Sequence, residues 1–268
     1  MSMELSVIIV NYNGLKYLKD CFNSLHDMLQ GIKHEIIVTD NNSADASCDY
    51  IKQHYPDVVL IESKDNLGFG KGNNRAVQEA KGDYLLLINN DTIVLSQLKP
   101  VLDALKADAT IGAIGINMLN ANKEYLPVVG NFPNPVNLLQ LKTLYNRESE
   151  FKTGNFTKDQ YKVGWLGGSF LMIPKKVYTD INGFDNDYFM YGEDIDLCKR
   201  IADKGYNRVF MPQYGYIHFV GYNSSKDPLI IRGLEMYIAK HLKGLNKQMA
   251  LLSLKINKAI KRAKKLLK

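Results

Sequence analysis

Asp91 closes the triplet Asn89-Asn90-Asp91, directly after the apolar run Tyr84 to Ile88. A carboxylate just past a buried strand sits at a pocket rim. There an oxygen-ligated Mg²⁺ or Mn²⁺ could neutralise a dianionic diphosphate and stabilise it as a leaving group. The same triplet is also good turn chemistry. His218, in the apolar run Tyr216 to Phe219, offers a neutral imidazole nitrogen as a second metal ligand, although a lone histidine on such a strand can equally be a core residue. Glu193 and Asp194 follow the aromatic stretch Tyr188-Phe189-Met190-Tyr191. Acidic residues on a helix usually form a solvated face, but an apolar surround desolvates a carboxylate and makes it more basic. One of the pair could then take a proton from a hydroxyl. Asp40 also ends a strand, where it could accept from a nucleobase N–H or cap a helix. Ser43 and Asp45 are the better caps, which leaves Asp40 for a ligand. The run Asn66 to Ala76 contains Gly68, Gly70 and Gly72 beside Lys71 and Arg75, the pattern of a flexible loop open to phosphate or of a structural turn.

These residues need a frame. Leu5 to Val10, Glu35 to Thr39, Val58 to Ile61 and Tyr84 to Ile88 read as short buried strands. Helices are expected over Leu15 to Leu29, Asp45 to His54 and from the glycine-rich loop to about Ala80. Strands alternating with helices imply an α/β fold, with a mostly parallel, Rossmann-like central sheet flanked by helices. Ligands bind such sheets outside the carboxyl ends of the strands. Three strands here end in polar clusters, Asn11–Asn13, Asp40–Ser43 and Asn89–Asp91, which should lie along one edge. The second half is less regular. Residues 120–162 suggest mobile loops, Trp165 to Ile173 a strand, and Tyr188 to Ala202 mostly a helix. Val209 to Met211 and Tyr216 to Phe219 read as two short strands, and the chain looks helical from about Leu229. A catalytic domain over 1–228 followed by a helical basic tail over 229–268 is the expected division.

The bulk numbers narrow the partners. The formal net charge is +6, but from Met236 onward there are ten Lys/Arg and no Asp or Glu, which leaves the rest at −4. A basic tail on a mildly acidic body argues against nucleic-acid binding and for an anionic surface met by the tail. Leu252, Ile256, Ala259, Ile260, Ala263, Leu266 and Leu267 recur at helical spacing among the basic residues. That pattern suits the interface of an anionic bilayer, or packing on protein. Three cysteines without a Cys-x-x-Cys pair fit a reducing cytoplasm. The N-terminus carries no signal-peptide pattern and no apolar run approaches a membrane span. The expected location is therefore cytoplasmic, peripheral on the inner membrane face.

In order along the chain, Val7-Ile-Ile-Val-Asn-Tyr-Asn13, Asp40-Asn-Asn-Ser43, Asn66-Leu-Gly-Phe-Gly-Lys-Gly72, Asn89-Asn-Asp91, Gly183-Phe-Asp185 and Glu193-Asp-Ile-Asp196 resemble family 2 glycosyltransferases, and within them the rhamnosyltransferase-like branch. The resemblance covers roughly residues 4–225. It implies the GT-A fold, inversion at the anomeric carbon and a nucleotide-diphosphate sugar donor. It also implies a saccharide or lipid-linked acceptor in cell-surface polysaccharide synthesis. Tyr12, Asn13, Asp40, Asn66, Gly72, Asn73 and Asn90 would then frame the nucleotide, with Tyr12 and Asp40 at the base. Asp91 and His218 would hold Mg²⁺ or Mn²⁺, and Asp194 would be the general base with Glu193 beside it. Trp165, Gly167 and Gly168 would line the sugar or acceptor pocket. One departure stands out: the family's Asp-x-Asp is Asn89-Asn90-Asp91 here, so the first carboxylate is missing. Two rivals are a sugar-phosphate nucleotidyltransferase, which would carry a basic glycine-rich loop after the first strand, and a sugar-nucleotide-binding protein without turnover.

Overall fold

The computed structural model describes residues 3–219 and 227–266. The first half runs β1 (Leu5–Asn11), α1 (Leu15–Met28), β2 (His34–Asp40), α2 (Ser47–His54), β3 (Val59–Glu62), α3 (Gly68–Val77), β4 (Tyr84–Asn89), β5 (Thr92–Val94), α4 (Lys99–Ala107) and β6 (Ile111–Leu119). The second runs β7 (Tyr125–Leu126), β8 (Val129–Gly130), α5 (Ser149–Thr153), β9 (Tyr161–Lys162), β10 (Trp165–Leu166), β11 (Phe170–Pro174), α6 (Lys175–Asp180), α7 (Glu193–Asp203), β12 (Asn207–His218), α8 (Asp227–His241) and α9 (Gly244–Leu266).

The main sheet has the order β3-β2-β1-β4-β11-β6-β12-β5. The first four strands are parallel, β11 runs antiparallel between β4 and β6, and β12 is parallel to β6. Two reversals across β11 restore the direction of β4 in β6 and β12. His218, at the end of β12, therefore lies on the same edge as the ends of β1, β2 and β4. The register fixes this: Asn11 is opposite Asp40, Val10 opposite Asn89, and Phe170 at the start of β11 opposite Ile88. β1 needs no polar face, because helices cover both sides of the sheet and all but one of its residues are buried. One core cluster packs α1 and α4 on one face; the other packs α3, α6 and α7 on the opposite face.

Several elements differ from the sequence reading. The glycine run is not a loop; it is the body of α3. A Cβ at Gly72 would meet both Val10 methyls, and one at Gly70 would meet Phe184. Glycine's poor helix propensity is overridden by how closely this helix must approach its neighbours. Arg75 pairs with Glu79 one turn on, which occupies the cation expected to face phosphate. α7 starts only at Glu193, because Tyr191 and Gly192 adopt left-handed conformations, φ 69° and 93°. The two expected late strands are one, β12, with a register irregularity between Met211 and Gly215. Trp165 to Ile173 splits into β10 and β11 in different sheets.

The C-terminal segment is two helices docked on the domain. Ile231, Leu234, Ile238, Ala250 and Leu254 share a core with Leu138 and Leu144, and Asn257 Nδ2 donates to the Leu139 carbonyl at 2.7 Å. The opposite side of α9 leaves Leu245, Met249, Leu252, Ile256 and Ile260 exposed. Leu267 and Lys268 lie outside the described residues, as do residues 220–226. Among the described residues no helix is long and apolar enough to cross a membrane.

Candidate active site

Two groups of residues meet on the shared sheet edge. The first is a side-chain network across the ends of β2, β1 and β4. Asn11 Nδ2 donates to Asp40 Oδ2 at 2.7 Å, and Asn90 Nδ2 donates to Asn11 Oδ1 at 2.7 Å. Asp40 also accepts from the Ser43 amide at 2.8 Å and the Ser43 hydroxyl at 2.7 Å. Asp40 is 2% exposed, and in the structure its carboxylate is engaged by Asn11 and Ser43. Asp45 does not cap α2 through its own N-cap position; it bonds Ser47 and reaches across to the Leu15 amide at 3.0 Å, covering the start of α1. Around this floor, Tyr12 is 53% exposed, and Asn13, at φ 51°, accepts from the Ala44 amide. Asn66 is exposed at the entry to α3 and accepts from the Gly68 amide. Gly72 and Asn73 are buried; Asn73 Nδ2 donates back to the Phe69 carbonyl.

Asp91 and His218 come together where β4 turns into β5. His218 Nε2 lies 3.1 Å from Asp91 Oδ1 and 3.1 Å from Asn89 Nδ2. Burial opposes ionisation of Asp91, but His218, the Asp91 backbone and Asn89 together outweigh it and hold the carboxyl below its usual range. His218 Nδ1 faces the Met118 sulfur at 3.4 Å, and Asn89 Oδ1 is buried without a partner. A carboxylate oxygen and an imidazole nitrogen about 3 Å apart match neighbouring ligands on one octahedral ion at about 2.1 Å from each. The donor set therefore fits Mg²⁺ or Mn²⁺. Among the described residues no group of three or more His, Cys, Asp or Glu gathers to hold an ion. Asp91 and His218 are two candidate ligands, and an ion between them would take its remaining positions from oxygens outside the protein.

The second group is the acidic pair. Asp194 Oδ2 accepts from the Gly168 amide at 3.1 Å, and Oδ1 from the Ile195 amide at 2.8 Å. Gly168 suits this approach, since a Cβ there would crowd the Phe69 ring and the Asp194 Cβ. Burial raises the Asp194 pKa above its ordinary value. Glu193 is 6% exposed, with Oε2 unpartnered; burial first, and the neighbouring Asp194 charge second, raise its pKa too. The two groups are joined through backbone, because the Asn89 amide donates to the Ser169 carbonyl, next to Gly168. The Trp165 indole is buried, donates to the Asn131 carbonyl and packs on Tyr145. Gly167 is fixed by a bond to Val128, which a Cβ would crowd.

Several contributors escaped the sequence reading. Asn74 accepts from the Tyr178 hydroxyl and the Phe184 amide and donates to the Phe184 carbonyl, pinning the 183–186 segment onto α3. Asp196 is fully buried between Arg200 and His241. The i,i+4 spacing of Asp196 and Arg200 was a signal in the sequence; the partner on α8 left none.

The family model for glycosyl transferase family 2 matches residues 6–179, and a model described as the N-terminal domain of galactosyltransferase matches residues 154–221. The chain is 30% identical to rhamnosyltransferase WbbL of Escherichia coli over 81% of this chain and 84% of that protein. It is 25% identical to the N-acetylglucosaminyl-diphospho-decaprenol L-rhamnosyltransferase of Mycobacterium tuberculosis, over 85% and 80%. Its fold is similar to GalNAc-T7 with UDP, GalNAc and Mn²⁺, at TM-score 0.67 and 18% identity over 87% of this chain and 48% of that one. It is similar also to the mannosyltransferase PcManGT of Pyrobaculum calidifontis with GDP-Man and Mn²⁺, at TM-score 0.65 and 17% identity over 96% and 73%. With its GT-A fold and its rhamnosyltransferase relatives, the chain belongs to glycosyl transferase family 2, on the rhamnosyltransferase-like branch.

Proposed function

We propose that this glycosyltransferase is metal-dependent and inverting, and that it moves a rhamnose-like sugar or a hexose from a nucleoside diphosphate to a saccharide or lipid-linked saccharide hydroxyl. The observation that carries this is that, on one sheet edge, His218 lies 3.1 Å from Asp91 while the Asp194 carboxylate accepts from the Gly168 amide. Tyr12, Asn13, Asn66 and Asn90 stand at the nucleotide end. Asp40, Gly72 and Asn73 hold its floor in place. Mg²⁺ or Mn²⁺ between Asp91 and His218 would supply positive charge against the departing diphosphate. Asp194 is the base: it takes the acceptor hydroxyl proton as that oxygen bonds to the anomeric carbon. The bond from that carbon to the diphosphate oxygen breaks in the same displacement, and the diphosphate leaves with the electron pair. Its raised pKa suits the task, because a more basic carboxylate drives proton transfer better. Gly168 keeps the carboxylate in register, with the sugar pocket extending along Gly167 and the segment that Trp165 anchors.

Among donors, dTDP-rhamnose comes first and UDP-hexoses next, from the rhamnosyl relatives. The second reading concerns location. The exposed apolar stripe of α9 and its basic flanks favour an anionic bilayer surface on the cytoplasmic side, where a lipid-linked acceptor presents its hydroxyl. Turnover of a panel of nucleotide sugars, with Asp194→Asn in parallel, tests the chemistry. The variant should still bind donor and lose at least about 10²-fold in kcat. Near-normal turnover in the variant would move the base elsewhere, with Glu193 next.

A further inference from the structure

The turn that delivers the acidic pair is strained, and α8 is pressed against it. Tyr191 and Gly192 both sit in the left-handed region, φ 69° and 93°, immediately before Glu193. For tyrosine that conformation is unfavourable by about 1 kcal/mol or more, and it persists only where the surroundings enforce it. The surroundings here are the bare backbone of α8. Gly233 is buried mid-helix, and a Cβ on it would fall well inside 3.0 Å of the Tyr191 carbonyl oxygen. A Cβ on Gly192 would in turn meet the Gly233 Cα at 3.1 Å. Two glycines face each other across the contact because neither position has room for a side chain.

The same helix grips the acidic segment twice more. His241 Nε2 lies 2.6 Å from Asp196 Oδ1, while Arg200 takes Asp196 Oδ2 and donates to the Ile181 and Gly183 carbonyls. Lys240 pairs with Asp185 at 2.8 Å and Asp187 at 2.6 Å. One face of α8 therefore touches the 185–187 segment, the 191–192 turn and the first turns of α7.

We propose that α8 is the positioning element of the acidic pair, holding the Tyr191–Gly192 turn in its left-handed form through Gly233 and the register of α7 through His241. The inference rests on Asp194 as the base only for its effect on rate; the effect on the turn stands apart from that reading. Gly233→Ala places a methyl against a backbone oxygen that no rotamer can move away, so the turn must shift by on the order of 1 Å. A misplacement of that size is worth about 10²-fold in rate. The nucleotide end is built at the ends of β1, β2 and β4.

The test compares Gly233→Ala, His241→Ala, His241→Gln and Asp194→Asn in the full chain. It reads kcat, KM for donor, and hydrogen exchange of the amides of 189–196 and of Gly168. Gly233→Ala should lower kcat about 10²-fold with donor KM within about twofold, and expose the 189–196 amides while β1 and β4 stay protected. His241→Ala should lower kcat about tenfold, and His241→Gln, whose amide can still donate to Asp196, should restore most of it. Unchanged amide protection in both Gly233→Ala and His241→Ala overturns the brace, whatever Asp194→Asn does. Lost protection with parental kcat overturns the positioning role and leaves α8 a purely structural support. Full turnover in Asp194→Asn overturns the base assignment alone, since the exchange data still decide whether α8 holds the turn. If Gly233→Ala does not fold, the His241 pair carries the same comparison.

Discussion

Asp40→Asn separates two roles for the residue at the end of β2. In the structure the carboxylate accepts three hydrogen bonds, from Asn11 Nδ2 and from the Ser43 amide and hydroxyl, and is almost completely buried. An asparagine has one accepting oxygen. If that oxygen keeps the Ser43 amide, the new NH₂ faces the Asn11 NH₂, donor against donor. If it keeps Asn11, the new NH₂ faces the Ser43 N–H. Either way one bond to a charged acceptor is lost and a buried donor is stranded, at a cost of about 2–4 kcal/mol. For a chain of this size that is a fall of roughly 5–15 °C in Tm, expected with no nucleotide present. Donor affinity should fall as well, because Asp40 orients the Asn11 amide whose oxygen receives Asn90. Calorimetry of the free protein and titration with donor would give both numbers. A variant that melts with the parent but binds donor at least about tenfold more weakly would refute the argument. The carboxylate would then be free for the base, as its place in the sequence suggested.

Three further outcomes follow from the geometry. Chelation should abolish transfer and added Mg²⁺ or Mn²⁺ should restore it, while Asp91→Asn should resist rescue; full activity of stripped protein in chelator would remove the metal from the reaction. Glu193 has a folded pKa raised above its ordinary 4.5, so its favourable contribution is complete below that value and is lost as pH rises through the raised one. Glu193→Gln removes the group whose ionisation favours the unfolded chain and should gain on the parent by about 1–3 kcal/mol as pH rises from about 5 to 8, and parallel melting curves across that range would contradict it. The double variant Leu252→Ser/Ile256→Ser, at two exposed positions, should keep the parental Tm and weaken binding to anionic vesicles by about tenfold or more; equal co-sedimentation of the two proteins would take α9 out of the membrane reading.

What could be read in the sequence divides along physical lines. β1, β2 and β4 are runs buried on both faces and closed by polar residues, so their existence and their shared edge were legible from hydrophobic pattern and chain direction alone. α3 was not. Three glycines and two asparagines argue locally against a helix, and only the demand for close approach to Val10 and Phe184 explains why one forms there. β12 looked like two strands because Pro212 and Gly215 interrupt it, yet its irregularity is absorbed between Met211 and Gly215 without ending the strand. The aromatic stretch before Glu193 read as helix because nothing in Tyr188 to Tyr191 signals a left-handed turn; that turn depends on a helix about forty residues further along the chain.

The site divides the same way. The candidate residues came from motif order, and the structure gathers Asp91 with His218 and Asp194 with Gly168. How they are used depends on register, which pattern does not encode. Asp40 faces Asn11 only because β1 and β2 pair in step, and that pairing turns an available carboxylate into an internal one. The C-terminal helices extend the point from single residues to whole faces. Read as a line of text, α9 offers one apolar stripe among basic residues. Folded, it has two: Ala250 and Leu254 belong to a core shared with α8, and the other, from Leu245 to Ile260, is exposed among the described residues. α8 is joined to α9 by that core, to α7 by His241 and to the Tyr191–Gly192 turn by Gly233. A surface that engages α9 therefore meets, through that shared core, the helix against which the Tyr191–Gly192 turn and Asp196 pack.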